Sequence, residues 1–345
     1  MKKLIALLLA LLMVLSIVGC AKEEAPADDA AADAADAPAD DAAADDAADA
    51  PADDEYYIAA FAKGYQHQFW VLIREGMESV AAEYNAKLTF EAPDNNDANQ
   101  QLEQVETALG NGADAIILAS VDAVALAQAV DSAAEQGVPA FTFDSDTNSD
   151  KVLAFYGTNN YAGGELAGEK MAEKLGGAGK VAIIANDQTS NSIIERRDGF
   201  IDYLEANAPD IEVIDIQYSE DDSFKATEIA TTYILTYDDL DAIYTCGQSA
   251  SEGAIPAVKD QGKTGEILLV GFDSGSIMLD AIDSGVLWGA VTQSPYNMGV
   301  MAATAACEYI VNGVEPAEYT NDSGSAFYTA ENVNDEDIQK MVYQG

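Results

Sequence analysis

The stretch FAKGYQHQFW, residues 61–70, contains the only histidine of the chain, His67, with Lys63 before it and Phe69 and Trp70 after it. A histidine that takes part in catalysis needs a nucleophile or a substrate proton to act on, and a histidine in a metal site needs further ligands. The sequence contains no G-x-S-x-G elbow that would present a serine nucleophile. We therefore expect a binding surface or packed core at this stretch, and no enzyme.

The cysteines do not supply a metal site either. Besides Cys20 the chain has Cys246 and Cys307, and neither has a second ligand at metal-binding spacing. We expect two free buried thiols, with a bridge between them as the alternative. The run DSDTNSDKVLAF begins like a calcium loop, but Ser149 and Phe155 stand where such a loop needs Gly and Glu. We therefore expect no metal and no cofactor.

The elements that position these residues follow from the alternation of short apolar runs with amphipathic stretches. The apolar runs predict strands at 56–62, 86–92, 114–120, 138–144 and 152–158, and again at 180–186, 211–217, 241–247, 266–272 and 287–293. Helices are predicted between most of them, among others at 193–207, 223–236, 249–261 and 275–284. Two series of β-α-β units predict an α/β fold with two Rossmann-like lobes, each built on a parallel sheet.

In parallel sheets of this kind, ligands bind beyond the carboxyl ends of the strands. The candidate ligand-binding residues at these ends, or on the helices that follow, are Lys63, His67, Phe69, Trp70, Asp144, Ser145, Arg196, Gly247, Gln248, Asp273 and Gln293. Asp146, Asn186 and Asp187 lie at the same ends. Charged side chains that bond hydroxyl groups, together with aromatic rings that cover C–H faces, suit a polar, hydroxyl-rich small molecule.

The amino terminus is typical of a secretory signal. Lys2 and Lys3 precede an apolar stretch, residues 4–18, that is too short to cross a bilayer, although an uncleaved anchor is an alternative. The following IVGC resembles a bacterial lipobox, which implies a signal peptide of residues 1–19 and lipidation of Cys20. Acyl chains on this thiol would hold the protein on the outer face of the cell membrane.

Residues 21–55 contain eleven Asp and three Glu against one Lys, interspersed with Ala and Pro. This composition offers no apolar face to bury, so we expect residues 20–55 to form a disordered acidic tether. The whole chain carries a formal net charge of −45. So acidic a protein repels nucleic-acid phosphates, and we expect no nucleic-acid partner.

Five motifs occur in order along residues 56–325: FAKGYQHQFWVLIREGMES, FDSDTNSDKVLAFYGTNNYAGGELAG, ERRDGF, VGFDSGS and TQSPYNMG. In this order they resemble the motifs of type I periplasmic sugar-binding proteins of ABC importers. The resemblance implies a lipoprotein that captures a monosaccharide and delivers it to a membrane permease. The ribose-type ligand positions correspond to Lys63, His67, Phe69, Trp70, Asp144, Arg196, Asp273 and Gln293.

The resemblance also implies a hinge of three crossings, near residues 158–161, near 293–295 and after about 325, with the ligand in the cleft. The amino-terminal lobe would comprise residues 56–158 and 294–325, and the carboxy-terminal lobe residues 159–293 and 326–345. Within the crossings, we expect Asn159 and Asn160 to form part of the connection and to cap the helix that follows. We expect a monomer.

Some positions depart from the ribose-type pattern. Ser145 stands where ribose binders have arginine, Gly247-Gln248 replaces a frequent Asn-Asp, and SEDDSF near Asp221 replaces a ring. These departures put ribose itself in doubt and leave the sugar class intact. Lys63 near the first strand and DSDT after the fourth also resemble binding proteins for autoinducer-2, which is one ligand alternative, and a nucleoside is another. The functional alternatives are a sensory co-receptor and a cell-surface enzyme that acts on a glycoside or nucleoside.

Overall fold

The structure is a computed structural model that describes residues 55–65 and 67–343. The predicted signal peptide, Cys20 and almost all of the predicted acidic tether lie outside these residues. The strands are β1 (Tyr56–Phe61), β2 (Ala86–Glu91), β3 (Ala115–Leu118), β4 (Ala140–Phe143), β5 (Val152–Gly157), β6 (Ala178–Ala185), β7 (Asp210–Tyr218), β8 (Ala242–Thr245), β9 (Leu268–Phe272), β10 (Gly289–Gln293), β11 (Thr320–Asp322) and β12 (Ser325–Thr329). The helices are α1 (Gln68–Glu83), α2 (Ala98–Gly110), α3 (Ala127–Glu135), α4 (Asn160–Leu175), α5 (Asn191–Asn207), α6 (Ser223–Thr236), α7 (Gln248–Asp260), α8 (Ser276–Asp283), α9 (Pro295–Asn312) and α10 (Glu336–Gln339).

These strands form two six-stranded sheets with equivalent orders. The first sheet has the order β11-β5-β4-β3-β1-β2, and the second has the order β12-β10-β9-β8-β6-β7. All pairings are parallel except that of β12 with β10, which is antiparallel. The strands at the centres are short apolar runs buried on both faces, such as the AIIL of β3, as expected when helices cover both sides of a parallel sheet.

Helices pack on both faces of each sheet. On the first sheet, α1 and α9 contribute Met77 and Met298 to one buried cluster, whereas α2 and α3 contribute Val105 and Val130 to another. On the second sheet, α4 and α5 cover one face, and α6, α7 and α8 cover the other. The molecule therefore has two α/β lobes, which confirms the predicted fold class.

Glycines allow two helix pairs to approach very closely. A Cβ atom at Gly76 of α1 would overlap the carbonyl oxygen of Tyr296 in α9. In the other lobe, a Cβ atom at Gly164 of α4 would overlap the carbonyl oxygen of Arg196 in α5. The backbone of α5, which carries a candidate site residue, is thus held directly against α4.

The chain passes between the two sheets three times. It leaves β5 at Gly157 to enter α4, leaves β10 at Gln293 to enter α9, and passes from β11 to β12 at residues 323–324. The third passage lies slightly before the predicted position, because Ser325 already pairs with Gln293 in the second sheet. The exact residue ranges of the lobes stay a prediction.

Three further observations bear on the predictions made from the sequence. Cys246 and Cys307 are both free and buried. No helix of residues 55–65 and 67–343 is long and apolar enough to cross a membrane. In the same residues, no three His, Cys, Asp or Glu side chains are grouped so that they could hold a metal ion.

Candidate binding site between the lobes

Two aspartates occupy equivalent positions at the carboxyl ends of β4 and β9, the fourth strands of their lobes. Asp144 has φ of 55° and Asp273 has φ of 75°, a left-handed conformation that is uncommon for residues other than glycine. Each amide donates to the neighbouring strand, Asp144 to Tyr156 O at 3.0 Å and Asp273 to Val291 O at 2.7 Å. Strained backbone of this kind is concentrated at functional sites.

In the amino-terminal lobe, Lys63 provides the counter-charge for Asp144. Its Nζ lies 2.9 Å from Asp144 Oδ2 and donates to Ser145 Oγ at 2.6 Å. Ser145 Oγ in turn donates to Asp144 Oδ2 at 2.8 Å. The Lys63 ammonium also lies 5.8 Å from the ring centroid of Trp70, within the range of a cation–π contact. The first strand end and the fourth strand end are therefore joined through one lysine.

The start of α1 forms an aromatic surface beside this lysine. His67 is the N-cap of α1, and its Nδ1 accepts a hydrogen bond from Phe69 N at 3.2 Å. Because Nδ1 accepts, Nε2 carries the proton and donates to Gln248 Oε1 of the other lobe at 2.7 Å. The rings of Phe69 and Trp70 meet edge to face at 4.9 Å, with Phe69 buried and Trp70 half-buried. His67 thus links the lobes directly.

In the carboxy-terminal lobe, the buried carboxylate of Asp273 accepts from four donors of the described residues. Oδ2 accepts from Arg196 Nη1 at 3.3 Å and from Gln248 N at 3.1 Å. Oδ1 accepts from Gln293 Nε2 at 2.6 Å and from Tyr343 Oη at 3.2 Å. A buried carboxylate needs such compensation, because removal of a charge from water is costly.

Arg196 is fixed on three sides. Its Nε donates to Asn160 Oδ1 at 2.9 Å, its Nη1 donates to Cys246 O at 3.2 Å, and its guanidinium carbon lies 3.9 Å from the ring centroid of Phe272. The neighbouring Arg197 bonds Asp198 and Tyr218 on the outer side instead. Of the two consecutive arginines, Arg196 is therefore the one beside Asp273.

Gln293 connects the site to the interlobe crossings. While its Nε2 donates to Asp273, its Oε1 accepts from Thr158 Oγ1 at 2.8 Å. Thr158 follows β5 at the first crossing, and Gln293 ends β10 at the second. Asn159 caps α4 by accepting from Ala162 N at 3.0 Å.

Gly247 lies at the start of α7, where a larger residue would not fit. A Cβ atom there would lie 2.7 Å from Asn186 Oδ1. This Oδ1 is buried and has no hydrogen-bond partner among the described residues, although Asn186 Nδ2 donates to Asp221 Oδ1 at 2.8 Å. An unpaired buried acceptor is rare in folded proteins and often marks a missing partner.

Two strand-end acidic residues have their side chains engaged within their own lobes. Asp146 Oδ2 accepts from Tyr319 Oη at 2.7 Å. Asp187 accepts from Ser190 Oγ at 2.6 Å and from the amides of Thr189 and Ser190. Burial raises the pKa of Asp187, but these hydrogen bonds outweigh it and hold the pKa below its usual value. Both side chains fix loops at the edge of the site.

Two participants were not anticipated from the sequence as site residues. Asn160, expected only at the crossing and cap, holds the Arg196 guanidinium, and Tyr343 reaches Asp273 from the end of the chain. The doubled Asn159-Asn160 is a weak signal for Asn160, since only one of the two can cap the helix. No local pattern marks Tyr343, because its position depends on the path of the last residues.

Residues 58–313 match the model of a family described as periplasmic binding protein domain. The chain belongs to this family. It is 28% identical over 252 residues to the ribose import binding protein RbsB of Bacillus subtilis (strain 168), which covers 73% of this chain and 81% of that protein. It is also 28% identical over 250 residues to the D-allose-binding periplasmic protein of Escherichia coli (strain K12), covering 70% of this chain and 80% of that protein.

A solved structure of an ABC transporter solute binding protein from Agrobacterium vitis, with bound D-fucose, has the same fold. Its TM-score is 0.73 at 29% sequence identity, and the match covers 83% of this chain and 100% of that chain. A sugar-binding protein of a sugar ABC transporter from Bacillus halodurans matches with a TM-score of 0.76 at 28% identity, covering 81% of this chain and 99% of that chain. The two lobes therefore have the type I periplasmic binding protein fold, as predicted.

Proposed function

We propose that this chain captures a monosaccharide, or a similar polyhydroxylated small molecule, between its lobes and delivers it to the permease of an ABC importer. The observation that carries the proposal is a continuous set of contacts between the strand ends of the two lobes. It runs from Asp144 through Lys63 to the aromatic rings at the start of α1, and from there through Tyr343 to Asp273.

The chemistry of these contacts suits a sugar. Carboxylates and basic side chains bond hydroxyl groups in fixed directions, while flat rings cover the apolar C–H faces of a sugar. Relatives named for ribose and D-allose, and a related structure with bound D-fucose, support a sugar as the class of ligand.

Capture would proceed by closure of a hinge. A ligand that contacts both lobes has a higher affinity for the closed state, and this difference in affinity drives closure. The bond between His67 and Gln248 joins the lobes near Asp273 and would form as the cleft closes.

The mature protein would begin at Cys20, be lipid-anchored to the outer face of the cell membrane, and extend its binding lobes on the acidic tether as a monomer. Incorporation of labelled palmitate tests the anchor. A Cys20→Ala variant that is labelled as strongly as the wild type would contradict it.

Binding is tested by a thermal-shift screen of pentoses, hexoses, polyols, nucleosides and autoinducer-2, followed by calorimetry. A ligand at 100 times its Kd stabilises the folded state by about 2.7 kcal/mol, which shifts the melting temperature by several degrees. Arg196→Ala should weaken the binding of the hit, whereas Arg197→Ala should retain it. A screen in which no sugar or polyol stabilises the wild type would refute the proposal.

Delivery to a permease is tested in cells of the source organism. Deletion of the gene should abolish uptake of the labelled ligand, and the wild-type gene should restore it. Unchanged uptake combined with a lost chemotactic or transcriptional response would identify a sensory receptor instead.

A further inference from the structure

The last described residues of the chain, up to Tyr343, lie in the candidate site. After α10, the backbone passes the strand ends of the second sheet, where Met341 O accepts from Thr292 Oγ1 at 3.3 Å and Tyr343 N donates to Ser274 Oγ at 2.9 Å. The side chains of Thr292 and Ser274 have no exposed surface. The backbone of this segment is therefore fixed by two buried hydroxyl groups.

The side chain of Tyr343 touches candidate ligand residues of both lobes. Its ring lies edge-on to His67 at 5.7 Å and to Phe69 at 5.8 Å between centroids, and its Oη lies 3.2 Å from Asp273 Oδ1. Only 3% of Tyr343 is exposed. Burial, and then the Asp273 charge, raise the pKa of this phenol well above its usual value, so the phenol stays protonated and donates to the carboxylate.

Of the four donors to the Asp273 carboxylate, the Tyr343 hydroxyl is the one that a ligand hydroxyl could replace most easily. The Gln248 donor is a backbone amide, and Arg196 is fixed by two other hydrogen bonds. Gln293 donates at the shortest of the four distances and is tied to the hinge. A ligand substituent that approached Asp273 from the side of Phe69 would meet the phenol ring first.

We propose that Tyr343 is a specificity-determining residue that closes the Asp273 end of the cleft and limits the size of the sugar there. This inference rests on the proposed function. D-ribose and D-allose are a suitable probe pair, because in the pyranose form they differ by one hydroxymethyl group. Fitting or excluding one such group in a pocket changes affinity by about 10- to 200-fold.

The test is calorimetry of the full chain with D-ribose and D-allose. Tyr343→Ala should raise the ratio of D-allose affinity to D-ribose affinity by at least about 10-fold, because it vacates the volume of the ring. Tyr343→Leu keeps a buried apolar side chain and should raise the ratio in the same direction, which protects the test against an unstable alanine variant. Tyr343→Phe keeps the ring and should leave the ratio within about twofold of the wild-type value.

Tyr328→Phe is the matched control. Tyr328 is fully buried, but its Oη donates to the main-chain oxygen of Asp273 at 3.0 Å and not to the carboxylate. Loss of this hydroxyl should lower the stability of the protein without changing the ratio of D-allose affinity to D-ribose affinity. An unchanged ratio in the Ala and Leu variants of a protein that binds sugar overturns this inference alone. A wild-type protein that binds no sugar overturns the proposed function, and this inference with it.

Discussion

Asp273→Asn changes almost no volume, yet it removes the charge on which four donors converge. If the remaining amide oxygen faces Arg196 and Gln248 N, the amide nitrogen faces Gln293 Nε2, which can only donate, and the Tyr343 hydroxyl, which can accept from it but loses the acceptor for its own proton. Two buried donors then lose their acceptor at about 1–3 kcal/mol each, and the buried guanidinium loses its counter-charge. Breaking a buried ion pair costs about 3–5 kcal/mol, and we expect a loss of unfolding free energy in that range.

The matched variant is Asp144→Asn, at the equivalent position of the other lobe. Its partner Lys63 has a side chain that is 30% exposed, so water replaces much of the lost interaction. We expect a cost of at most about 1 kcal/mol there. The same left-handed backbone is present at both positions, so any strain that Asn relieves is similar in the two variants.

Urea unfolding at neutral pH measures both costs, and calorimetry with the sugar from the screen measures affinity. For Asp273→Asn we expect a loss of about 2–4 kcal/mol of binding free energy, which weakens Kd by about 30- to 900-fold. If Asp273→Asn and Asp144→Asn both lose less than about 1 kcal/mol of stability, and Asp273→Asn binds as the wild type does, Asp273 is not the centre of the site.

Two further predictions concern ionisation. Burial raises the pKa of Cys246 to about 12 and that of Cys307 to about 11, so neither thiol of the native protein should react with Ellman's reagent at pH 7.4, whereas both should react in denaturant; in protein without a lipid anchor, more than the one equivalent owed to Cys20 would contradict this. Because the pKa of Cys246 is raised from 9.0, its contribution to stability is complete below pH 9 and is lost as the pH rises towards about 12, at up to about 1.4 kcal/mol per pH unit. Burial also raises the pKa of Tyr244, which acts in the same direction. In urea unfolding between pH 9 and 11, Cys246→Ala should therefore lose less unfolding free energy per pH unit than the wild type. Equal losses in the two proteins would be evidence against a raised pKa of Cys246.

The sequence predicted the elements well where local signals agree. Helix α6 has the predicted bounds, 223–236, because Asp222 caps its first turn by accepting from the amides of Phe224 and Lys225. The predicted strand 138–144 is longer than β4, which ends at Phe143. The run of apolar residues does not reveal that Asp144 turns into the left-handed region.

What the sequence could not predict depends on pairing between distant segments. The antiparallel β12 joins β10 only because the third crossing brings residues 325–329 to the edge of the second sheet. The position of Tyr343 follows from bonds to Thr292 and Ser274 made by the last few residues. The expectation that ligands bind beyond the carboxyl ends of parallel strands correctly selected Asp144 and Asp273 as strand-end residues. It could not select Tyr343, because this residue does not follow a strand.

The carboxylates of Asp144 and Asp273 each have a basic partner in their own lobe, Lys63 for Asp144 and Arg196 for Asp273. If the lobes separate as proposed, neither of these two acids leaves its cation behind. Among the described residues, the contacts that would break in the cleft include the bond from His67 to Gln248 and the edge contacts of Tyr343. The proposed opening would therefore leave both ion pairs intact while the protein releases its ligand.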